Sequence, residues 1–218
     1  MPGVATTTEE IELQIDPGRG GGAAIRDGGD PGRGDGQSPA YQRASITGIT
    51  LALGGILMFF LALTSSYIVR RGVTTDWQAF PLPRVLWANT AVLLLSSFTI
   101  EMARRALGRG AVAAFRNLWA LTSGLGLIFV GGQLLAWREL RAEGVFLSTN
   151  PSSSFFYVLT ALHGLHLLGG IVALAYVALR SWQGSKVGRA TGAEVAAIYW
   201  HFMDGLWVFL LLLLTLGR

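Results

Sequence analysis

Five stretches of this chain are apolar almost throughout, and its charged residues gather between them. They run at about 46–69, 85–103, 118–137, 155–179 and 195–216. Each approaches or exceeds the ~20 residues an α-helix needs to cross ~30 Å of hydrocarbon. The breaks are Arg70-Arg71, the Pro81-Leu82-Pro83 turn, Arg104-Arg105, Arg138, Asn150-Pro151 and the stretch from Gly184 to Gly192. The pattern predicts an all-α integral membrane protein, with a bundle of five transmembrane helices filling residues 46–218. Stripes of small residues predict where those helices pack: Gly48, Ala52, Gly55, Ala62 and Ser66 in the first span, Gly124 and Gly131 in the third, Gly169 and Ala173 in the fourth.

Residues 1–45 follow no such pattern. They hold ten glycines and four prolines, and DPGRGGG (Asp16 to Gly22) nearly recurs as DPGRGDG (Asp30 to Gly36). Such sequence cannot offset its own ordering entropy, so a disordered tail is expected. The Arg33-Gly34-Asp35 triplet reads as a product of that repeat rather than an adhesion motif. No signal-peptide core is expected ahead of Ile46.

Composition narrows the class. Only 14% of the residues are charged, against about 25% in soluble domains. With no cysteine, thiol catalysis and Cys-ligated metal sites are excluded. The net charge of +4 points to no nucleic-acid partner, because the body's bases lie in short loops between apolar runs. Among bases within about 15 residues of a span, a cytoplasmic N-terminus places nine inside (Arg33, Arg43, Arg104, Arg105, Arg109, Arg116, Arg180, Lys186, Arg189) and six outside (Arg70, Arg71, Arg84, Arg138, Arg141, Arg218). The positive-inside rule therefore favours N-inside, C-outside. Trp87, Trp119, Trp137 and Trp182 fall at span ends, where indole rings prefer to lie.

Ionisable groups inside a bilayer are costly and so mark candidate sites. His163 and His166 in the fourth span, and His201 and Asp204 in the fifth, are each spaced i,i+3 and so share a helix face. Antiparallel packing puts His166 and Asp204 at one depth, which permits a contact. Gln133 falls near the depth of His163, within reach of a hydrogen bond. Glu101 ends the second span on a stripe with Thr90 and Ser97, and is expected to pair with Arg104 or Arg105. Glu194 reads as a solvated acid just ahead of the fifth span. Three readings compete for this polar set: a metal or haem site, a proton path, and hydrogen-bonded glue between helices or toward lipid headgroups. The last asks least of the sequence and is preferred. Phosphate-loop and Ser-His-Asp patterns are missing.

Two stretches say more. YVLTALHGLHLLGGIVALAY (Tyr157 to Tyr176) and IYWHFMDGLWVFL (Ile198 to Leu210) closely resemble the last two helices of cytochrome c oxidase subunit III. WANTAVLLLSSFTIEMARRA (Trp87 to Ala106) and GLGLIFVGGQLLAW (Gly124 to Trp137) support the resemblance, which runs from about Thr47 to Leu216. It implies the short bacterial form with five helices, seated in the bacterial inner membrane. The implied partners are oxidase subunit I in direct contact, subunit II in the same complex, and structural phospholipid. Haem and copper are then expected on partner subunits, with no cofactor, metal or catalytic residue on this chain. The matching polar positions are Glu101, Gln133, His163, His166, His201 and Asp204. One departure concerns a pattern like LASEVMFF, which here reads LGGILMFF (Leu53 to Phe60), so that Ile56 stands where the family often has a buried glutamate. Rival readings are the equivalent subunit of a quinol oxidase or nitric oxide reductase, a small transporter or channel using the His/Asp seam, and a free-standing membrane haem protein.

Overall fold

The computed structural model describes residues 39–73, 75–78, 80–182 and 189–217. Residues 1–38, with the repeat and the Arg33-Gly34-Asp35 triplet, lie outside them, as does Lys186. Five helices follow in order: α1 (Pro39–Val73), α2 (Val85–Gly108), α3 (Val112–Ala142), α4 (Pro151–Trp182) and α5 (Arg189–Leu216). All five contain segments long and apolar enough to cross a membrane. Every predicted span is present, and most extend beyond their predicted ends. α1 begins at Pro39, so residues 39–45 belong to the helix and not to the tail.

The termini show why the helices stop where they do. Gly110 (φ 75°) and Gly144 (φ 80°) sit just past α2 and α3 in the left-handed conformation. At each, two N–H groups fold back onto the last turn: Gly110 and Ala111 onto Leu107 and Ala106, Gly144 and Val145 onto Arg141 and Leu140. This paired pattern satisfies carbonyls that the helix would otherwise leave open. α4 starts on Asn150, whose Oδ1 accepts the Ser153 N–H at 2.8 Å. Pro151 follows at the first helical position, where its missing N–H loses no bond. At the far end of α4, Arg116 of α3 donates to the Ser181 carbonyl at 2.7 Å.

Four helices form a square in which α2 adjoins α3 and α5, and α4 adjoins α3 and α5. α1 lies outside the square against α4 and α5 and touches neither α2 nor α3. It docks through one narrow stripe, Leu53, Ile56, Phe60, Thr64 and Tyr67, and the Tyr67 hydroxyl donates to the Gly217 carbonyl at 3.0 Å. Trp119, Trp200, Trp207, Phe115 and Phe129 fill the square's interior.

The small-residue prediction fails at most of its positions. Gly48, Ala52, Gly55, Ala62 and Ser66 are all exposed, and Gly124 and Gly131 face open space. Close approach occurs instead at Gly126, where a Cβ would meet the Trp200 ring, at Gly132 against Asn89, and at Gly170 against Tyr199 and Trp200. Large partners, not runs of small residues, select these sites. The tryptophans also divide. Trp87 is exposed at a span end as predicted, but Trp119 is buried, with its Nε1 donating to the Leu174 carbonyl at 2.9 Å. Trp137 is half-buried and donates to Thr160. The Trp182 side chain lies outside the described residues.

Candidate functional site

The polar residues inside the spans form two groups, joined across the square by aromatic rings. The first is a seam between α2 and α5. Thr90, Ser97 and Glu101, at steps of seven and four, lie on one face of α2 opposite Trp207, Asp204 and His201 of α5. Trp207 Nε1 donates to Thr90 Oγ1 at 2.9 Å. Ser97 Oγ donates to Asp204 Oδ2 at 2.5 Å and lies 2.8 Å from His201 Nδ1. A hydroxyl has one proton, so when it is given to Asp204, His201 must present Nδ1–H to the same oxygen. Asp204 is buried, and its Oδ1 has no partner among the described residues. His201, by contrast, is exposed. One α2 hydroxyl thus holds two ionisable side chains of α5 in place.

At one end of the seam Glu101 accepts from Arg104 at 3.1 Å and from Arg105 at 2.9 Å, the pairing expected from their spacing. These partners and Glu194 line a shallow recess of about 340 Å³. Glu194 corrects its prediction: α5 begins at Arg189, so this acid lies in the helix's second turn. It accepts from Gln42 of α1 at 3.0 Å and ties the starts of two helices.

The second group is buried between α3 and α4. His163 is wholly enclosed, with the rings of Phe129 and Trp207 at 6.0 and 5.1 Å, and neither of its nitrogens has a partner among the described residues. The Gln133 amide is likewise buried and unpartnered, so the expected Gln133–His163 hydrogen bond is not formed. His166 turns the other way. Its ring packs against Phe60 of α1 at 5.6 Å, and its Nδ1 lies 2.7 Å from the Leu162 carbonyl one turn back. The His166–Asp204 contact that matched depth permitted is therefore absent, because His166 faces α1 while Asp204 faces α2. The i,i+3 argument holds for His201 and Asp204, which share Ser97. It fails for His163 and His166, whose ~60° angular offset is enough to send them to different helices.

Ser97 is the residue that sequence reasoning passed over as a site in its own right. It stood on the Glu101 stripe, but serine is too common in membrane helices to be singled out. Asn89 was also missed. Its Nδ2 donates to the Phe129 carbonyl at 2.9 Å, in the space that Gly132 leaves open. Chemically, these arrangements join helices. The three imidazoles face three separate neighbourhoods, and among the described residues no three of His, Cys, Asp and Glu converge.

Comparison with known proteins gives the fold its family. The cytochrome c oxidase subunit III family matches residues 47–216, from within the first turns of α1 to the end of α5. A probable cytochrome c oxidase subunit 3 of Nocardia farcinica is 36% identical over 167 residues, covering 74% of this chain and 82% of its own length. A cytochrome c oxidase subunit 3 of a Synechocystis species is 32% identical over 175 residues, covering 78% and 74%. The probable subunit 3 of Mycobacterium tuberculosis is 33% identical over 166 residues, covering 74% and 82%. With its five membrane-spanning helices and a match across nearly the whole helical body, the chain belongs to the cytochrome c oxidase subunit III family.

Proposed function

We propose that the chain is the non-redox subunit III of a respiratory haem–copper oxidase in a bacterial inner membrane, lying N-inside and C-outside. In this reading the complex carries electrons from cytochrome c to oxygen and pumps protons, with haem and copper on other chains. This chain stabilises subunit I, shares the complex with subunit II, and holds structural phospholipid. The observation that carries the reading is the family match over residues 47–216. The geometry supports it. His163 is walled in by aromatic rings, His166 packs on α1, and His201 shares Ser97 with Asp204, so the polar groups serve helix packing. This reading assigns a phospholipid headgroup to the open recess of about 860 Å³ between the end of α1 and the start of α4, lined by Arg70 with its ion-pair partner Asp76 at 3.6 Å and by Ser66, Asn150, Ser154 and Phe155.

The test is to replace Asp204→Leu or His201→Leu in the chain within its native membrane. Each variant is expected to lower the recovered complex or its stability during turnover, leaving the haem absorption bands where they were. Shifted haem bands in a fully assembled complex would contradict the proposal.

A further inference from the structure

Three hydrogen bonds tie α3 to α4 and set their register. Arg116, Trp119 and Trp137 of α3 donate to the Ser181 carbonyl, the Leu174 carbonyl and the Thr160 hydroxyl of α4. The donors advance along α3 as the acceptors retreat along α4, so the two helices run antiparallel. One turn back from Trp137 is Gln133, and one turn on from Thr160 is Gly164, with His163 beside it. Gln133 and His163 therefore lie level, between the Trp119–Leu174 and Trp137–Thr160 bonds. The rings agree: that of Phe129, one turn before Gln133, lies 6.0 Å from the His163 imidazole.

Both side chains are sealed from lipid and solvent, Gln133 at 5% exposure and His163 at 0%. Together they carry four buried polar atoms with no partner among the described residues: Nε2 and Oε1 of Gln133, and Nδ1 and Nε2 of His163. Orphaned donors and acceptors in an apolar interior are costly, and an enclosed site admits no lipid headgroup. Internal water binds where such groups converge and leave room for it. The amide offers donors and an acceptor, and a neutral imidazole offers one of each. Water donates twice and accepts twice, so it matches either side chain in either orientation. Gly164 supplies the room, since a Cβ there would meet nothing within 4 Å. It lies one turn from Thr160, on the face that α4 turns to α3.

We propose that an internal water bridges the Gln133 amide and the His163 imidazole and so joins α3 to α4 between their direct hydrogen bonds. The pairing that equal depth suggested is then made through water instead of directly. The site depends on this chain's own helices alone and goes beyond the oxidase reading, which stands or falls without it.

Cryo-electron microscopy of the wild-type chain, extracted from native membranes with its companions, tests the proposal at a resolution that shows ordered water. Density is expected about 2.7–3.2 Å from both a Gln133 amide atom and a His163 ring nitrogen. A direct bond between the two side chains would overturn the proposal, as would a map that shows other buried waters and none here. Thermal unfolding of the purified chain gives an independent measure. Gln133→Leu and His163→Phe each strand the other end of the bridge, and each is expected to lower the melting temperature by roughly 2–10 °C. The double variant should lose no more than the worse single one, because both ends go together. Losses that simply add would show that the two side chains share no partner and would overturn the proposal.

Discussion

At the scale of single residues, Ser97 bears more of the arrangement than its size suggests. One hydroxyl satisfies an oxygen of buried Asp204 and one nitrogen of His201. Removing it leaves a buried carboxyl without its one recorded partner, a loss worth about 1–3 kcal/mol. Ser97→Ala is therefore expected to lower the thermal stability of the purified chain measurably. Thr50→Ala, which removes only an exposed hydroxyl bonded to its own helix, should change it little. Equal melting temperatures for the two variants would show that the seam does not hold α2 to α5. The sequence was a good guide to Glu101, because its pairing with Arg104 and Arg105 is local and fixed by helical spacing. It was a poor guide to His166 and Gln133. Residue counting gives depth in a membrane but not the angle at which a side chain leaves its helix, and that angle sends His166 to α1 and leaves Gln133 unpartnered.

Helices are legible for the reason single contacts are not. A span of hydrocarbon imposes a length, so the five elements follow from apolar run length and the charges that end it. Their packing faces do not follow, since in lipid a small residue promotes contact only where a neighbour supplies something large to fill the space. Gly126 meets Trp200 in this way, whereas Gly124, two residues earlier, meets nothing. Gly126→Leu should force the Trp200 ring to move and destabilise the fold by about 1–3 kcal/mol. Gly124→Leu should be nearly neutral. Thermal unfolding in detergent separates the two, and a neutral Gly126→Leu would mean that the Trp200 ring lies less closely on Gly126 than described. α1 is the exception among the helices. It lies outside the square and attaches by a single stripe, so its small residues remain exposed and its early start at Pro39 was hidden by the polar sequence Pro39 to Ser45.

For the whole molecule, the seam and the family point to one kind of role. A four-helix square with α1 at its side, α2 and α5 hydrogen-bonded along their seam, agrees with the supporting role proposed above. The spans, the all-α fold and the family were legible in the sequence, the last because HGLH and WHFMD recur in order within a matching hydrophobic frame. That α1 and α2 stand apart over α5 was not, because apolar run length does not say which helices adjoin. The central claim is that the redox chemistry belongs to partner chains. The most direct measurement is to tag the chain at its C-terminus, extract it gently from native membranes, and record an absorption spectrum with an inventory of the subunits recovered. The account predicts haem bands that arrive with two larger subunits and stay with them when this chain is stripped away. A chain that purifies alone and colourless, or keeps a haem spectrum by itself, would contradict it.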